Sequence, residues 1–343
     1  MTGGSRELGP LLKARGAAFE PPALSVVAPC FNEAETLPTF VDRVRGACRS
    51  EGCESYEIVL VNDGSRDETW ETISALSAAG DGIVGVNLSR NYGHQLAASA
   101  GLSLARGERV LLIDADLQDP PELLGEMMRR MDEGCDVVYA RRRTRAKESA
   151  FKLATASAYY RLLSSLANVT IPQDVGDFRL MSRRAVDRLN AMPEQDRFIR
   201  GMVAWLGGRQ GEVLYDRDPR FAGKTSYTPA KMLKLAFSGI TSFSTAPLQL
   251  AIWLAGAGVV IALGLILYIL IGFFAGRTAP GWTSLALMTA FFSVGQFVCL
   301  AIMGGYLGRV FMQVKGRPLY FVDEIVASSV KAQSAVGARR REG

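Results

Sequence analysis

The 343-residue chain has one histidine and no closely paired cysteines, and both shortages argue against common kinds of site. The lone His94 is too little for a histidine-based metal site, and the five cysteines form no C-x-x-C pair. We therefore expect neither zinc fingers nor a disulfide framework, and reduced thiols in a cytosolic compartment fit the pattern best. The net charge of +5 is too small to indicate nucleic-acid binding by itself.

Two common nucleotide-binding motifs are also missing. No G-x-G-x-x-G follows the first predicted strand. Gly223-Lys224-Thr225 resembles the end of a P-loop, but Asp218 stands where the earlier glycine is required. We therefore expect neither a dehydrogenase nor a P-loop NTPase.

Charge is missing from two long stretches, with no Asp, Glu, Lys or Arg from Leu235 to Gly276 or from Thr278 to Gly308. Because a bilayer core takes about 20 apolar residues per helix, we predict spans near Leu248–Phe274 and Ser284–Leu307. The first 30 residues contain no long apolar run, so we expect no signal peptide. Basic residues flank the pair of spans and predict cytoplasmic termini with a short turn outside: Lys224, Lys231, Lys234, Arg309, Lys315 and Arg317.

These patterns predict five regions along the chain. They are a disordered tail (1–22), an α/β domain (23–228), an amphipathic helix (229–246), two transmembrane helices (247–308) and a cytoplasmic C-terminal tail (309–343). The amphipathic helix either lies in the membrane interface or packs on the α/β domain.

The α/β domain is predicted from short apolar runs that alternate with helical stretches. This alternation favours a mostly parallel sheet with helices on both faces and ligands at the carboxyl ends of its strands. After the first strand, Asn32 can cap a helix whose residues Leu37, Phe40, Val41 and Val44 share one apolar face. Polar residues follow the first four predicted strands, at 32–33, 62–64, 89–91 and 114–116. The predicted strands are Leu24–Ala28, Glu57–Val61, Val84–Leu88, Arg109–Ile113 and Asp136–Tyr139.

The strongest chemical signal is the acidic segment 114–122, D-A-D-L-Q-D-P-P-E. Asp114 and Asp116, one residue apart at a strand end, can direct two carboxylates at one hard cation that also binds phosphate oxygens. A D-x-D alone is equally compatible with a solvated strand end. The flanking L-Q-D-P-P-E makes the signal much more specific, and a diphosphate leaving group is the chemistry that such a cation assists.

Six motifs in order resemble those of the polyisoprenyl-phosphate glycosyltransferases. That family comprises family 2 enzymes of GT-A (Rossmann-like) fold, and the two predicted spans match its bacterial branch, the bactoprenol glucosyltransferases. The resemblance covers roughly residues 23–325, and it makes 23–228 a GT-A catalytic domain. The motifs are P-x-F-N-E (29–33), V-N-D-G-S (61–65), L-S-R-N-Y-G (88–93), the D-x-D segment, G-D-F-R-L-M-S-R (176–183) and R-F-A-G-K-T-S-Y (220–227).

The resemblance assigns residues to the donor. Asp114 and Asp116 would hold Mg²⁺ or Mn²⁺, with Asp116 the more direct ligand. From the residues alone, Asp63 can instead form an Asx-turn that caps the next helix, and Lys224 can be an interfacial anchor. The other implied donor-binding residues are Pro29, Phe31, Glu33, Asp63, Gln118, Arg220 and Lys224.

On the acceptor side, the resemblance implies a catalytic role for Asp177, beside that of Asp116. Taken alone, Asp177 can also cap a helix. The acceptor phosphate would bind to Arg141 and Arg142, in a basic cluster that is otherwise a solvated charge run. The rest of that cluster is Arg143, Arg145 and Lys147.

The resemblance implies inverting transfer of one sugar from a nucleotide donor to undecaprenyl phosphate at the cytoplasmic face of a bacterial inner membrane. UDP-glucose is the favoured donor; UDP-N-acetylhexosamine, UDP-galactose and GDP-mannose stay open. A processive polysaccharide synthase would need more spans and a Q-x-x-R-W motif, which is absent. A lipid-carrier or flippase subunit would leave the D-x-D chemistry idle. The resemblance also favours a homotetramer. From the small net charge we expect no nucleic-acid partner.

Overall fold

A computed structural model of the chain describes residues 21–80, 82–143, 175–216, 246–274 and 281–327. The described residues fall into two compact units. Residues 246–274 and 281–317 form the second unit, and the remaining described residues form the first. The predicted tail 1–22 and the amphipathic helix 229–246 lie almost wholly outside the described residues.

The first unit is an α/β domain. Its strands are β1 (Leu24–Cys30), β2 (Tyr56–Asn62), β3 (Ile83–Leu88), β4 (Arg109–Leu112), β5 (Val137–Arg142), β6 (Val175–Ser182), β7 (Gln210–Tyr215) and β8 (Val322–Ala327). Its helices are α1 (Leu37–Ser50), α2 (Thr69–Ala78), α3 (His94–Leu104), α4 (Leu124–Asp132), α5 (Arg183–Ala191) and α6 (Ile199–Trp205).

The eight strands form one mixed sheet in the order β7-β5-β6-β4-β1-β2-β3-β8. The central strands β4, β1, β2 and β3 are parallel neighbours, as the alternating pattern predicts. However, β6 runs antiparallel to both β4 and β5, and β8 runs antiparallel to β3. At the far side β7 is parallel to β5. The prediction of a mostly parallel sheet is therefore correct for the central strands, and the two antiparallel strands β6 and β8 make the sheet mixed.

Helices cover both faces of the sheet. Successive residues of β1 point to opposite faces, so its buried side chains contact both helix layers. Val26 belongs to the apolar core that also contains Leu37, Phe40, Val41 and Val44 of α1, the helix face predicted from the sequence. On the other side, a Cβ added to Gly101 of α3 would lie 2.4 Å from Cγ1 of Val27. The absence of a side chain at Gly101 thus allows α3 to approach β1 closely.

The beginning of α1 differs from the prediction. Asn32 does not cap this helix; it has left-handed backbone geometry (φ 57°), and its Oδ1 accepts a hydrogen bond from the main-chain N of Arg66. The helix begins four residues after Glu33, with Thr36 at the N-cap position. The β1–α1 loop is therefore attached to the loop after β2.

The second unit contains two long apolar helices, α7 (Ala246–Phe274) and α8 (Trp282–Lys315). Both predicted spans lie inside them, and α8 continues past the predicted end at Leu307. By length and composition, one segment of the described residues, Phe291–Lys315, is long and apolar enough to cross a membrane. Large apolar side chains on both helices are exposed, including Trp253 and Phe297.

The predicted C-terminal tail 309–343 contains the last turns of α8 and the edge strand β8, which the sequence pattern does not predict. β8 pairs with β3, and just before it the carbonyl oxygen of Phe321 accepts a hydrogen bond from N of Ser89 at 3.1 Å. The hydroxyl of Tyr320 lies 2.8 Å from Oγ of Ser103 on α3. This segment therefore covers the edge of the sheet beside the 89–93 loop.

Candidate active site

The polar residues that follow β1, β2, β3 and β4 meet at one end of the sheet, because the carboxyl ends of parallel strands lie together. Gly64 shows how closely these loops approach each other. Its φ is +61°, and a Cβ there would lie 2.4 Å from N of Asn91. Glycine is therefore required where the loop after β2 contacts the loop after β3.

Asp63 anchors the loop after β3. Its Oδ1 accepts from N of Tyr92 at 2.7 Å, and its Oδ2 accepts from N of Gly93 at 2.9 Å. Burial raises the pKa of Asp63 above its usual range, and these two hydrogen bonds oppose the shift. Asp63 does not cap the next helix as an Asx-turn, because both of its side-chain oxygens accept from the loop after β3. The neighbouring Asn62 supplies the Oδ1 that accepts from N of Ser65.

The three predicted donor-binding residues of the P-x-F-N-E segment differ in how much of each is exposed. Pro29 is buried within β1, whereas Phe31 at the strand end is 44% exposed and presents an aromatic ring. Glu33 is half-buried, and its Oε2 accepts a hydrogen bond from Oγ1 of Thr36 at 2.7 Å. Of the three, Phe31 has the most surface available for a ligand.

The D-x-D loop has a constrained backbone. Leu117 is left-handed (φ 60°), which is uncommon for a residue with a Cβ. Oδ1 of Asp116 accepts from N of Gln118 at 3.1 Å, and the side chain of Gln118 is buried. Asp119 is also buried, and its Oδ1 accepts a hydrogen bond from the hydroxyl of Tyr215. The loop is thus held on both sides of its strained residue.

His94, the single histidine, lies between two carboxylates. Its Nε2 is 3.2 Å from Oδ2 of Asp177 and 3.4 Å from Oδ1 of Asp114. Burial would lower the pKa of His94, but the hydrogen bond to Asp177 and the charge of Asp114 raise it to about 9. Burial raises the pKa of Asp114 to about 6, with His94 opposing the shift and the charge of Asp177 adding to it.

Asp177 lies on β6 and is surrounded by donors, so it does not cap a helix. Its Oδ2 also accepts from Nε2 of Gln95 at 2.9 Å, and its Oδ1 lies 3.6 Å from Arg179 and 3.5 Å from Arg200. Burial would raise the pKa of Asp177, but the His94 hydrogen bond and the charges of Arg200 and Arg179 hold it well below its usual range. Such a carboxylate is a weak base and is better suited to orienting its neighbours.

Asp114 and Asp116 fit the chemistry of a divalent cation. Oδ1 of Asp114 is buried and accepts no hydrogen bond from the described residues, so a cation would satisfy it. Within the described ranges, no group of three or more His, Cys, Asp or Glu side chains is arranged to hold a metal ion. Two carboxylates suit a hard cation that takes its other ligands from water and phosphate.

The structure separates the two predicted acceptor-phosphate ligands, because adjacent residues of a strand point to opposite faces. On β5, Arg141 is exposed and pairs with Glu212 of β7 at 3.2 Å. Nε of Arg142 instead donates to the hydroxyl of Tyr215 at 3.3 Å, on the face of the buried Asp119. The two side chains thus have different partners, and Arg142 lies on the side of the D-x-D loop; their binding of the acceptor phosphate stays a prediction.

The remaining predicted residues lie outside the described ranges: Arg145, Lys147, Arg220 and Lys224. Conversely, the structure brings in residues that sequence reasoning did not assign to the site. The sequence held a signal for two of them. The only histidine, His94, directly follows the L-S-R-N-Y-G motif, and Arg179 lies within the G-D-F-R motif. Nothing in the local pattern indicated the others: Gln95, Arg200 and Tyr215.

The site and fold described so far are those of a glycosyltransferase, and comparisons with known proteins agree. Residues 25–189 match the family model described as "Glycosyl transferase family 2". The uncharacterized glycosyltransferase YkcC of Bacillus subtilis (strain 168) is 41% identical over 88% of this chain and 93% of its own length. A prophage bactoprenol glucosyl transferase homolog of Escherichia coli (strain K12) is 37% identical over 88% of this chain and 99% of its own length.

The chain therefore belongs to glycosyl transferase family 2, with a GT-A-like α/β fold and a mixed sheet. A solved structure of glucosyl-3-phosphoglycerate synthase from Mycobacterium tuberculosis is 20% identical, with a TM-score of 0.44. It covers 69% of this chain and 84% of that chain. A likeness at this level carries no information about substrate.

Proposed function

We propose that the protein transfers one sugar from a nucleotide donor, UDP-glucose in the first instance, to a polyprenyl phosphate. An acceptor phosphate oxygen forms the new bond to the anomeric carbon, from the face opposite the departing diphosphate. The bond from that carbon to the diphosphate breaks, so the products are an inverted polyprenyl-phosphate sugar and a nucleoside diphosphate. Relatives named bactoprenol glucosyl transferase, at 36–37% identity over 87–88% of this chain, support the lipid acceptor.

One observation carries the proposal: Asp114 of the D-x-D motif and Asp177 both lie within 3.4 Å of Nε2 of His94. A donor held at Asp114 and Asp116 and an acceptor held near Asp177 would then meet at the carboxyl ends of the parallel strands. Mg²⁺ or Mn²⁺ at the two aspartates would neutralise charge on the departing diphosphate. The polyprenyl phosphate supplies its own anionic oxygen, so Asp177 orients its neighbours without having to remove a proton.

We also propose that α7 and α8 cross the membrane as a hairpin, with the catalytic domain and both termini cytoplasmic. At 1.5 Å per residue, each helix exceeds the roughly 30 Å of a hydrocarbon core. Exposed Trp253 and Phe297 suit contact with lipid. The homotetramer implied by the family resemblance remains a prediction.

The function is tested with the full chain in lipid nanodiscs, radiolabelled UDP-glucose, Mn²⁺ and undecaprenyl phosphate. We expect label in the organic phase as a lipid carrying one sugar. Asp116→Asn should abolish this transfer, whereas Asp132→Asn, an exposed acid on α4, should not. A labelled polymer, or no transfer from any of the four named donors, would refute the proposal.

The hairpin is tested by labelling single added cysteines in intact cells with a reagent that does not cross membranes. Gly281→Cys, between the helices, should react from outside. Arg317→Cys, after α8, should react only after the cells are opened. Labelling of Arg317→Cys in intact cells would contradict the two-span arrangement.

A further inference from the structure

His94 occupies a position where one ring nitrogen faces two carboxylates, Asp177 on β6 and Asp114 in the loop after β4. The two distances from Nε2, 3.2 Å to Asp177 and 3.4 Å to Asp114, are similar. A ring nitrogen carries at most one hydrogen, so Nε2 cannot make a full hydrogen bond to both carboxylates at once. In the structure the hydrogen bond is made with Asp177, and Asp114 faces the same nitrogen at 3.4 Å without a hydrogen bond.

The two carboxylates depend on His94 to different degrees. Oδ2 of Asp177 also receives a hydrogen bond from Nε2 of Gln95, and Arg179 and Arg200 lie near Oδ1. Oδ1 of Asp114 accepts no hydrogen bond from the described residues, and His94 is its ion-pair partner. Removal of the imidazole therefore changes the charge balance at Asp114 as well as the contacts of Asp177.

The main chain determines where this imidazole lies. Asp63 accepts hydrogen bonds from N of Tyr92 and N of Gly93, immediately before His94. His94 is the first residue of α3, and the next residue, Gln95, accepts from N of Ile199 through its Oε1. The start of α3 is thus attached to the loop after β2 on one side and to α6 on the other.

We propose that His94 is a positioning residue that couples the donor-side carboxylate Asp114 to the acceptor-side carboxylate Asp177. The proposal rests on the function proposed above, which assigns those two sides. The ring N–H of His94 that donates to Asp177 carries positive charge. It also lies beside Oδ1 of Asp114, the oxygen that a cation would use. It therefore weakens cation binding at Asp114 while it holds Asp177 in place.

This arrangement predicts opposite effects on two measurements when the imidazole is removed. In His94→Leu, Mn²⁺ should bind more tightly, because a competing positive group is gone. Turnover should fall in the same variant, because Asp177 has lost a donor that orients it. A residue needed only for folding would lower both quantities together, so the opposite signs distinguish positioning from general destabilisation.

The test measures Mn²⁺ binding to the full chain in detergent by electron paramagnetic resonance, without nucleotide or lipid. We expect Mn²⁺ affinity in His94→Leu to rise by about fivefold or more, the lower range for coupled sites. In the transfer assay we expect kcat to fall by about tenfold or more, towards the roughly 10²-fold that a 1 Å misplacement of reacting groups can cost. His94→Gln retains an N–H donor of similar reach and should recover part of the lost kcat.

Gln95→Leu is the matched control, because Gln95 donates to Asp177 but is not paired with Asp114. It should lower kcat while leaving Mn²⁺ affinity within about twofold of wild type, well below the coupling range. The thermal midpoint of each variant, measured in parallel, identifies any that is unfolded.

The proposal is overturned if His94→Leu leaves Mn²⁺ affinity unchanged or weakens it in a folded protein. Tighter Mn²⁺ binding with unchanged kcat, or an equal gain in Gln95→Leu, would also overturn it. The binding arm does not depend on transfer activity. If wild type transfers no sugar to polyprenyl phosphate, the proposed function fails while the Mn²⁺ comparison still tests the link between His94 and Asp114.

Discussion

The hydroxyl of Tyr215 is the most informative single group to remove from the support of the D-x-D loop. It donates to the buried carboxylate of Asp119 and accepts a hydrogen bond from Arg142, so it joins β5, β7 and the loop. Its ring packs edge-on against Phe178 with centroids 5.9 Å apart. Tyr215→Phe keeps that ring contact and deletes only the hydroxyl, so its effect reports the hydrogen bonds alone.

The structure gives the expected size of the effect. A hydrogen bond to a charged group contributes about 1.5–3 kcal/mol, and Asp119 is almost fully buried, so water replaces the donor poorly. For a domain of this size, that loss corresponds to a fall in Tm of about 3–12 °C. Burial and the charge of Asp119 also raise the pKa of Tyr215, so the hydroxyl remains a donor at ordinary assay pH.

The assay compares Tyr215→Phe with Tyr139→Phe by thermal unfolding and by transfer rate. Tyr139 lies on β5 but on the opposite face from Arg142, and no described residue hydrogen-bonds its hydroxyl. Tyr139→Phe should therefore change neither quantity. Tyr215→Phe should also lower kcat by about tenfold, because Asp119 follows Asp116 by three residues and a small displacement of reacting groups is costly. Equal Tm and kcat in the two variants would refute the role given to this hydroxyl.

Four further predictions concern the other parts of the site and fold. Asp116→Ala should abolish transfer in a folded protein and excess EDTA should mimic it; full activity in EDTA would contradict a metal at this position. Asp177→Asn should lower turnover by about 10²-fold, the loss that a small misplacement of reacting groups can cause, with little change in calorimetric UDP binding; a loss of UDP binding instead would place it on the donor side. Arg142→Ala should raise KM for polyprenyl phosphate and Arg141→Ala should not, because the two side chains lie on opposite faces; equal changes would contradict that separation. A chain that lacks residues 318–343 should unfold at a lower temperature than one ending after β8, because the edge of β3 is uncovered; equal midpoints would show that β8 contributes no stability.

The central elements could be predicted from the sequence because their signals are local. The five predicted strands coincide with β1 to β5 within a few residues, since a short run of apolar side chains marks a buried strand wherever it lies. The buried face of α1 follows from helical spacing in the same way. Strands β6, β7 and β8 mix polar and apolar residues and carry no clear strand signal, so these three strands could not be predicted. Their direction in the sheet could not be predicted either, because the order of polar and apolar residues does not specify it.

The candidate site likewise contains some features that local sequence predicts and others that it does not. Asp114 and Asp116 are neighbours in the chain, so their joint role can be inferred from their spacing and the strand before them. The side-chain hydrogen bonds to Asp177 come from His94 and Gln95, which are 83 and 82 positions away and whose proximity no local pattern encodes. Arg141 and Arg142 show the opposite case, because these two neighbours in sequence have different partners in the fold, Glu212 and Tyr215.

The sequence by itself thus determined the class of chemistry, the central sheet and the apolar C-terminal helices, since each depends on side chains within a few residues of one another. Only the tertiary structure decided which charged groups face each other at the end of that sheet. The reason is physical: electrostatic and hydrogen-bond partners are chosen by distances of about 3 Å in space. Those distances depend on how β6, α3 and β7 pack together, which is a property of the folded chain as a whole.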